Sequence, residues 1–340
     1  MSDQKPRWQQ RPEGSNWGDF GADDQLGRMN LVTPECVRRA AREVREGLSF
    51  CLSLPLDYPG GNKLNVRRHP PSYRPTADGS VQYYNYRVAT QTPGHTDVIS
   101  DDAVTLHTQY STQWDSFAHV GSAFDADGDG VAETVYYNGW RGGLHILGPQ
   151  DPGGMGARRL GVEHMAVKAV QTRGAMVDLF RLHGRTRGFV GYDALMRALE
   201  HDRVELQSGD ILCLYTGFAD LVMEMGGDPD PAQLHNACAV LDGRDTRLLQ
   251  WIADSGIAAL AADNYAVEGL PARSGALPCA AAPLHELCLF KQGIALGELW
   301  LLGPLARWLR SHARCHFMLT APPLRLPGAV GSPLTPVGTV

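Results

Sequence analysis

At 340 residues the chain is long enough to bury a sizeable core, and 43% hydrophobic with 20% charged residues is the balance of an ordinary globular protein. A net charge of -6 without a basic run of five or more argues against a nucleic-acid surface. No apolar stretch approaches the roughly 20 residues needed to span a bilayer, and the polar start Met-Ser-Asp-Gln-Lys-Pro-Arg-Trp lacks a signal peptide's apolar segment, so a cytoplasmic protein is expected.

Residues 1–15 read as a flexible arm, 16–325 as one domain and 326–340 as a tail. Thr33-Pro34-Glu35 has an N-cap and a proline suited to the first helical position, predicting a helix that ends before Gly47. Leu48 to Leu56 alternates enough for a strand. From about 57 to 80 the chain is rich in Pro, Gly, Asn and Arg and reads as a long loop of the kind that walls a pocket. Arg67, Arg68 and Arg74 there either meet an anionic substrate or sit in a solvated basic loop.

Val98 to Tyr110 predicts a strand. Asp125, Asp127 and Asp129 imitate the start of a calcium loop, but Tyr136 stands where the liganding Glu belongs, so a turn capped by Asp side chains is the expectation. Ala175 to Phe180 and the continuous apolar run Ile211 to Tyr215 predict strands, the second buried on both faces. Helices are expected from Asp193 to about His201 and over Asp242 to Ser255. Ile257 to Ala262 reads as a strand delivering Asp263 and Asn264 at its end, a common place for functional side chains. Leu284 to Phe290 reads as a short helix carrying His285, and Ile294 to Leu302 as strand or strand-turn carrying Glu298. His312 and His316 have the spacing of one helical face; without the Glu of a zinc-protease helix they read as helix surface. The seven cysteines lack a Cys-x-x-Cys pair and read as reduced. No Gly-x-Ser-x-Gly elbow and no Gly-x-Gly-x-x-Gly after a strand argue against a serine hydrolase and a dinucleotide fold.

The densest chemistry lies in residues 109–119, Gln-Tyr-Ser-Thr-Gln-Trp-Asp-Ser-Phe-Ala-His. In an extended segment, spacing in twos puts Gln109, Gln113, Asp115 and His119 on one side. Such a cluster suits a metal with an imidazole beside it; the plainer reading is a polar, half-exposed strand edge.

This stretch resembles the signature His-x-Gly-Thr-His-x-Asp-x-Pro-x-His of the cyclase family, which includes bacterial kynurenine formamidases and isatin hydrolases. Thr112, Asp115 and His119 match; Gln109 and Gln113 replace the first two histidines, Ser111 the Gly and Phe117 the Pro. Asn16-Trp17-Gly18-Asp19, Tyr137-Asn138-Gly139, Ser208-Gly209-Asp210, Ala262-Asp263-Asn264 and Leu284-His285 to Glu298-Leu299 follow in the family's order, so the resemblance spans about residues 16 to 305.

The resemblance implies an α/β fold of the swivelling β/β/α kind, with a mixed central sheet and surrounding helices, and a homo-oligomer. It also implies a metal site completed by His285 and Glu298. Amide oxygens are far weaker zinc ligands than imidazole, so the two glutamines should cripple one of two family sites and leave Asp115, His285 and Glu298 to hold one ion. Zinc is expected, with manganese as the alternative; Gln113 and Gln109 are the weak further ligands. His119 would be general base and then acid. Trp114, Tyr137 and Trp140, with Tyr136, would shape the pocket. The implied reaction is hydrolysis of a small cyclic ester or amide, or of an aryl formamide; a lactone-opening enzyme of aromatic degradation, of the trans-dienelactone hydrolase kind, is similar to this long variant. The alternative is a metal-free binding or structural homologue.

Overall fold

The computed structural model describes residues 7–340. Its frame is a nine-stranded mixed sheet built from β1 (Ser49–Cys51), β2 (Gln113–Asp115), β3 (Gln171–Asp178), β4 (Ile211–Tyr215), β5 (Ala259–Ala262), β6 (Ala295–Glu298), β7 (His316–Thr320), β8 (Gly331–Pro333) and β9 (Val337–Thr339). The order across the sheet is β1-β9-β7-β3-β4-β5-β6-β2-β8. The centre, β3 to β6, is parallel, and the pairings to either side are antiparallel. This is the mixed α/β arrangement expected.

The parallel centre follows from composition. All five residues of β4 are apolar and buried, as a strand covered on both faces requires. Helices α1 (Pro34–Ala41), α2 (Tyr192–Asp202), α3 (Thr246–Asp254) and α4 (Gly303–Ser311) surround it. The carboxylate of Asp245 accepts from the backbone N–H groups of Arg247 and Leu248 at 2.9 and 3.2 Å, which starts α3 at Thr246 rather than at Asp242. Leu248 and Ile252 then face the core. None of the described helices is long and apolar enough to cross a membrane.

Both ends of the chain depart from expectation. Residues 1–6 lie outside the described residues, but from residue 7 the predicted arm is packed: Trp8 meets Trp17 edge-on at 5.7 Å, and Gln9 N–H donates to the carbonyl of Ala126 at 2.7 Å. The predicted tail supplies two sheet strands, β8 beside β2 and β9 between β1 and β7. Proline and glycine around three-residue strands hid them. The loop over 57–80 also contains a strand, Ser72–Asp78, paired with Val81–Tyr83 and Asp102–Thr105 in an exposed sheet. With both faces wet, it has no apolar alternation to read. Finally, His312 ends α4 and stacks on Trp308 at 3.9 Å, whereas His316 begins β7, so the two histidines share no helical face.

Candidate metal centre and active site

Strand β2 is fixed from both sides, with Asp115 opposite Leu296 of β6 and Gly331 of β8, and Gln113 opposite Glu298 and Pro333. Opposed residues on antiparallel neighbours share a face, and strand side chains alternate. Gln113, Asp115 and Glu298 therefore gather on one face, while Trp114 points through the other. The amide Nε2 of Gln113 donates to Glu298 at 2.9 Å and approaches Asp115 at 3.4 Å. His285, at the end of the short helical turn Pro283–His285, brings Nε2 to 3.3 Å from Glu298.

Ligand atoms of Asp115, His285 and Glu298 all lie within 4.8 Å of one another, and all three residues are buried. The cluster is polar beyond what its own contacts satisfy: Oδ2 of Asp115 and Oε1 of Gln113 are buried without a hydrogen-bond partner. Burying an unpaired carboxylate oxygen is costly, and two acids with one imidazole is a donor set suited to a divalent cation. The residues present thus fit a metal ion.

Glu268 completes the centre from behind. Its carboxylate accepts from the backbone N–H groups of Leu284 and His285 at 3.1 and 2.9 Å, and Oε1 lies 2.7 Å from Nδ1 of His285. Nothing in the sequence signalled this residue. A carboxylate on the far nitrogen fixes the ring and leaves Nε2 facing the cluster, as in known carboxylate–histidine–metal arrangements. Burial disfavours charge on His285, yet Glu268 and Glu298 outweigh it and push its pKa up to about 10. Burial and the charge of Asp115 push Glu298 upward in turn. A proton on His285 offsets part of the acids' charge, and a cation binding at Nε2 would have to displace it.

His285 and Glu298 of the cluster line a cavity of about 290 Å³ together with His119, Gln109, Tyr265 and Leu270. His119 follows β2 through a turn in which its N–H donates to Ser116. Its Nε2 lies 4.0 Å from Asp115, and 24% of its side chain stays exposed. Burial lowers its pKa below the ordinary 6.5, against the pull of Asp115. Gln109 meets Nδ1 of His119 at 3.1 Å and so acts on the imidazole rather than entering the acidic cluster. Gly331 makes room for it, since a Cβ there would come within 2.5 Å of the Gln109 amide.

A family model described as "Putative cyclase" matches residues 30–269. The chain belongs to the cyclase family. His285 and Glu298 lie beyond the matched residues, and only the fold brings them to Asp115. No curated protein matches the sequence. Among solved structures, one described as a novel cyclase is 31% identical, covering 96% of this chain and 97% of that one with a TM-score of 0.74. Isatin hydrolase A from Ralstonia solanacearum is 15% identical over 88% of this chain and 93% of its own, with a TM-score of 0.52. The Labrenzia aggregata enzyme, bound to benzyl benzoate, is 12% identical over 88% and 94%, with a TM-score of 0.53. These last two show the shared fold.

In this chain the three aromatics expected to contact substrate do not line the cavity. Trp114 is fully buried, meets Trp300 edge-on at 4.9 Å and donates its indole N–H to the carbonyl of Ala321. Tyr137 is buried against Phe117, and Trp140 lies under the guanidinium of Arg7 at 3.5 Å. The reason for Trp114 is strand alternation: if Gln113 and Asp115 face the site, it cannot. Tyr265 and Tyr110 line the cavity instead.

Two other expectations resolve simply. Asp263 accepts from Thr216 N–H and Oγ1 and from Gly217 N–H at 2.6 to 2.8 Å, so it ties a turn and is not part of the cavity wall. Asp125 accepts from the N–H groups of Gly128, Asp129 and Gly130, as the turn reading required. Oxygens of Asp125, Asp127 and Glu133 do converge, but Arg141 already pairs with Glu133 and lies 3.8 Å from Asp127.

Proposed function

We propose that this protein is a metal-dependent hydrolase that opens a small cyclic ester or amide, or cleaves an aryl formamide. The observation that carries the reading is the convergence of buried Asp115, His285 and Glu298 at a cavity that His119 also lines.

Asp115, His285 and Glu298 would hold one divalent ion, zinc before manganese, since a nitrogen and two carboxylates suit either. When bound, the ion would supply Lewis acidity to a water and to the substrate carbonyl. Gln113 is held by Glu298 through its nitrogen, which leaves its carbonyl oxygen free toward the site. His119 stands within reach of the same space. It would take a proton from the attacking water as the new carbon–oxygen bond forms, then deliver that proton to the leaving oxygen or nitrogen as the old bond breaks. No side chain need become acylated. Glu268 would keep the His285 ring in place throughout.

A lactone is a better electrophile than an amide, so a site keeping one ion suits it best. The second reading, a metal-free binding protein, rests on the His285 bridge between Glu268 and Glu298, which holds the two carboxylates through side-chain contacts alone.

Elemental analysis of purified protein, alongside Asp115→Ala, His285→Ala and Glu298→Ala, separates the two. About one zinc or manganese per chain, lost in the variants, with turnover of lactones, cyclic amides or formyl-anilines, supports the hydrolase. Protein that takes up no metal on reloading leaves the binding role.

A further inference from the structure

The loop over residues 57–68 closes one side of the cavity and puts two cations there. Pro59, Gly61, Asn62, Leu64, Asn65, Arg67 and Arg68 all line it. The loop is tied at both ends. The hydroxyl of Tyr110 donates to the carbonyl of Gly61 at 2.8 Å and accepts from Gly60 N–H at 3.0 Å. Gly60 holds φ +102 and passes so near Gly227 that a Cβ would overlap its backbone, so the approach requires glycine. At the other end Arg68 donates one nitrogen to the carbonyl of Gln109 at 2.5 Å.

Arg67 and Arg68 line the same cavity as His119 and Glu298, and neither forms an ion pair among the described residues. A divalent cation held by Asp115 and Glu298 would offset their charge and leave the two guanidiniums as the net positive groups of the cavity lining. A guanidinium offers a planar fork of N–H donors that fits a carboxylate in two parallel hydrogen bonds.

We propose that Arg67 and Arg68 form a carboxylate subsite, so that the compound hydrolysed carries its own carboxylate beside the scissile carbonyl. This rests on the hydrolase reading for the scissile bond, while the subsite itself is a matter of binding. Arg67 is the principal contact, because its guanidinium is uncommitted; Arg68 contributes the nitrogens not spent on Gln109. The cavity of about 290 Å³ suits a small acid of one ring.

The test uses tetrahydrofuran-2-carboxylate, a ring acid without a hydrolysable bond, titrated calorimetrically into zinc-loaded protein. Wild type should bind it, Arg67→Ala at least tenfold more weakly, and Arg67→Lys in between, since charge returns without the fork. Arg67 is exposed, so its variants should fold. A parallel assay compares 5-oxotetrahydrofuran-2-carboxylate with its methyl ester: the acid should be preferred, and Arg67→Ala should shrink that preference tenfold, chiefly through KM. Equal binding by wild type and Arg67→Ala, or none by wild type, overturns the subsite even if both lactones are opened. Arg67-dependent binding with neither lactone opened upholds the subsite and counts against the hydrolase reading.

Discussion

The carboxamide of Gln109 lies 3.1 Å from Nδ1 of His119, and its oxygen accepts from the hydroxyl of Thr108 at 2.9 Å. With nitrogen toward the ring, Nδ1 accepts and Nε2 carries the proton. Rotated half a turn, the amide oxygen accepts a hydrogen bond from Nδ1–H and leaves Nε2 unprotonated as a base, while the Thr108 hydroxyl, which can accept as well as donate, stays satisfied. If His119 is the base and then the acid, as proposed above, the oxygen-inward orientation of Gln109 would suit both the neutral and the protonated ring.

Gln109→Ala should lower kcat about tenfold with metal content unchanged, whereas His119→Ala should cost on the order of 10²–10⁴. Loss of metal in Gln109→Ala would make it a ligand after all. Because burial lowers the His119 pKa, the acidic limb of kcat/KM should fall below pH 6.5. Gln109→Glu can only accept from Nδ1 and adds negative charge, so it should move that limb to higher pH.

Metal removal should be felt as lost stability. Asp115 and Glu298 are buried acids near one another, and Oδ2 of Asp115 has no partner. Zinc at 100 times its Kd should stabilise wild type by about 2.7 kcal/mol. Asp115→Asn should lose that gain, yet match or exceed wild type in Tm when both are stripped of metal. Calorimetry with and without chelator reads both; a variant that zinc stabilises like wild type would remove Asp115 from the ligand set.

Glu268 touches no substrate in this arrangement, but its hold on Nδ1 of His285 sets where Nε2 points. Glu268→Gln should weaken zinc about 10–100-fold, with kcat at saturating zinc nearly retained. A competition titration against a chromophoric chelator measures this, and unchanged affinity would reduce Glu268 to a cap for the turn at Leu284.

Asp263 gives a stability signature away from the metal. Burial outweighs its three donors and pushes its pKa up to about 7 from 3.8. A carboxyl raised on folding favours the folded state fully below its unfolded pKa, and that contribution is lost as pH climbs through about 7. Asp263→Asn cannot ionise, so the stability of wild type relative to the variant should fall by roughly 2–3 kcal/mol between pH 5 and 8, at about 1.36 kcal/mol per pH unit. A difference that rises with pH would mean the donors win.

What could be read in the sequence was what leaves a local mark. Continuous apolar runs gave β4 and β5, and Thr33-Pro34 gave α1. Gln113, Asp115 and His119 were legible because they share one short segment. His285 and Glu298 were legible only through resemblance, since no local pattern links them to residue 115. Glu268 left no signal, because its role depends on a helical turn 17 residues away. The aromatics failed for the opposite reason: a tryptophan between two polar site residues looks like a pocket wall until strand pairing assigns it the opposite face. Packing against Trp300 makes Trp114→Ala a core lesson, costing about 3–5 kcal/mol rather than a change in KM.

The pairing of β2 with β8 also has a temporal side. The strand carrying Gln113 and Asp115 is flanked by residues 295–298 and 331–333, both synthesised long after it. A nascent chain must therefore keep this polar segment unassembled until residues 331–333 have left the ribosome, and translation halted before residue 331 yields a product whose acidic cluster has lost one of its two walls.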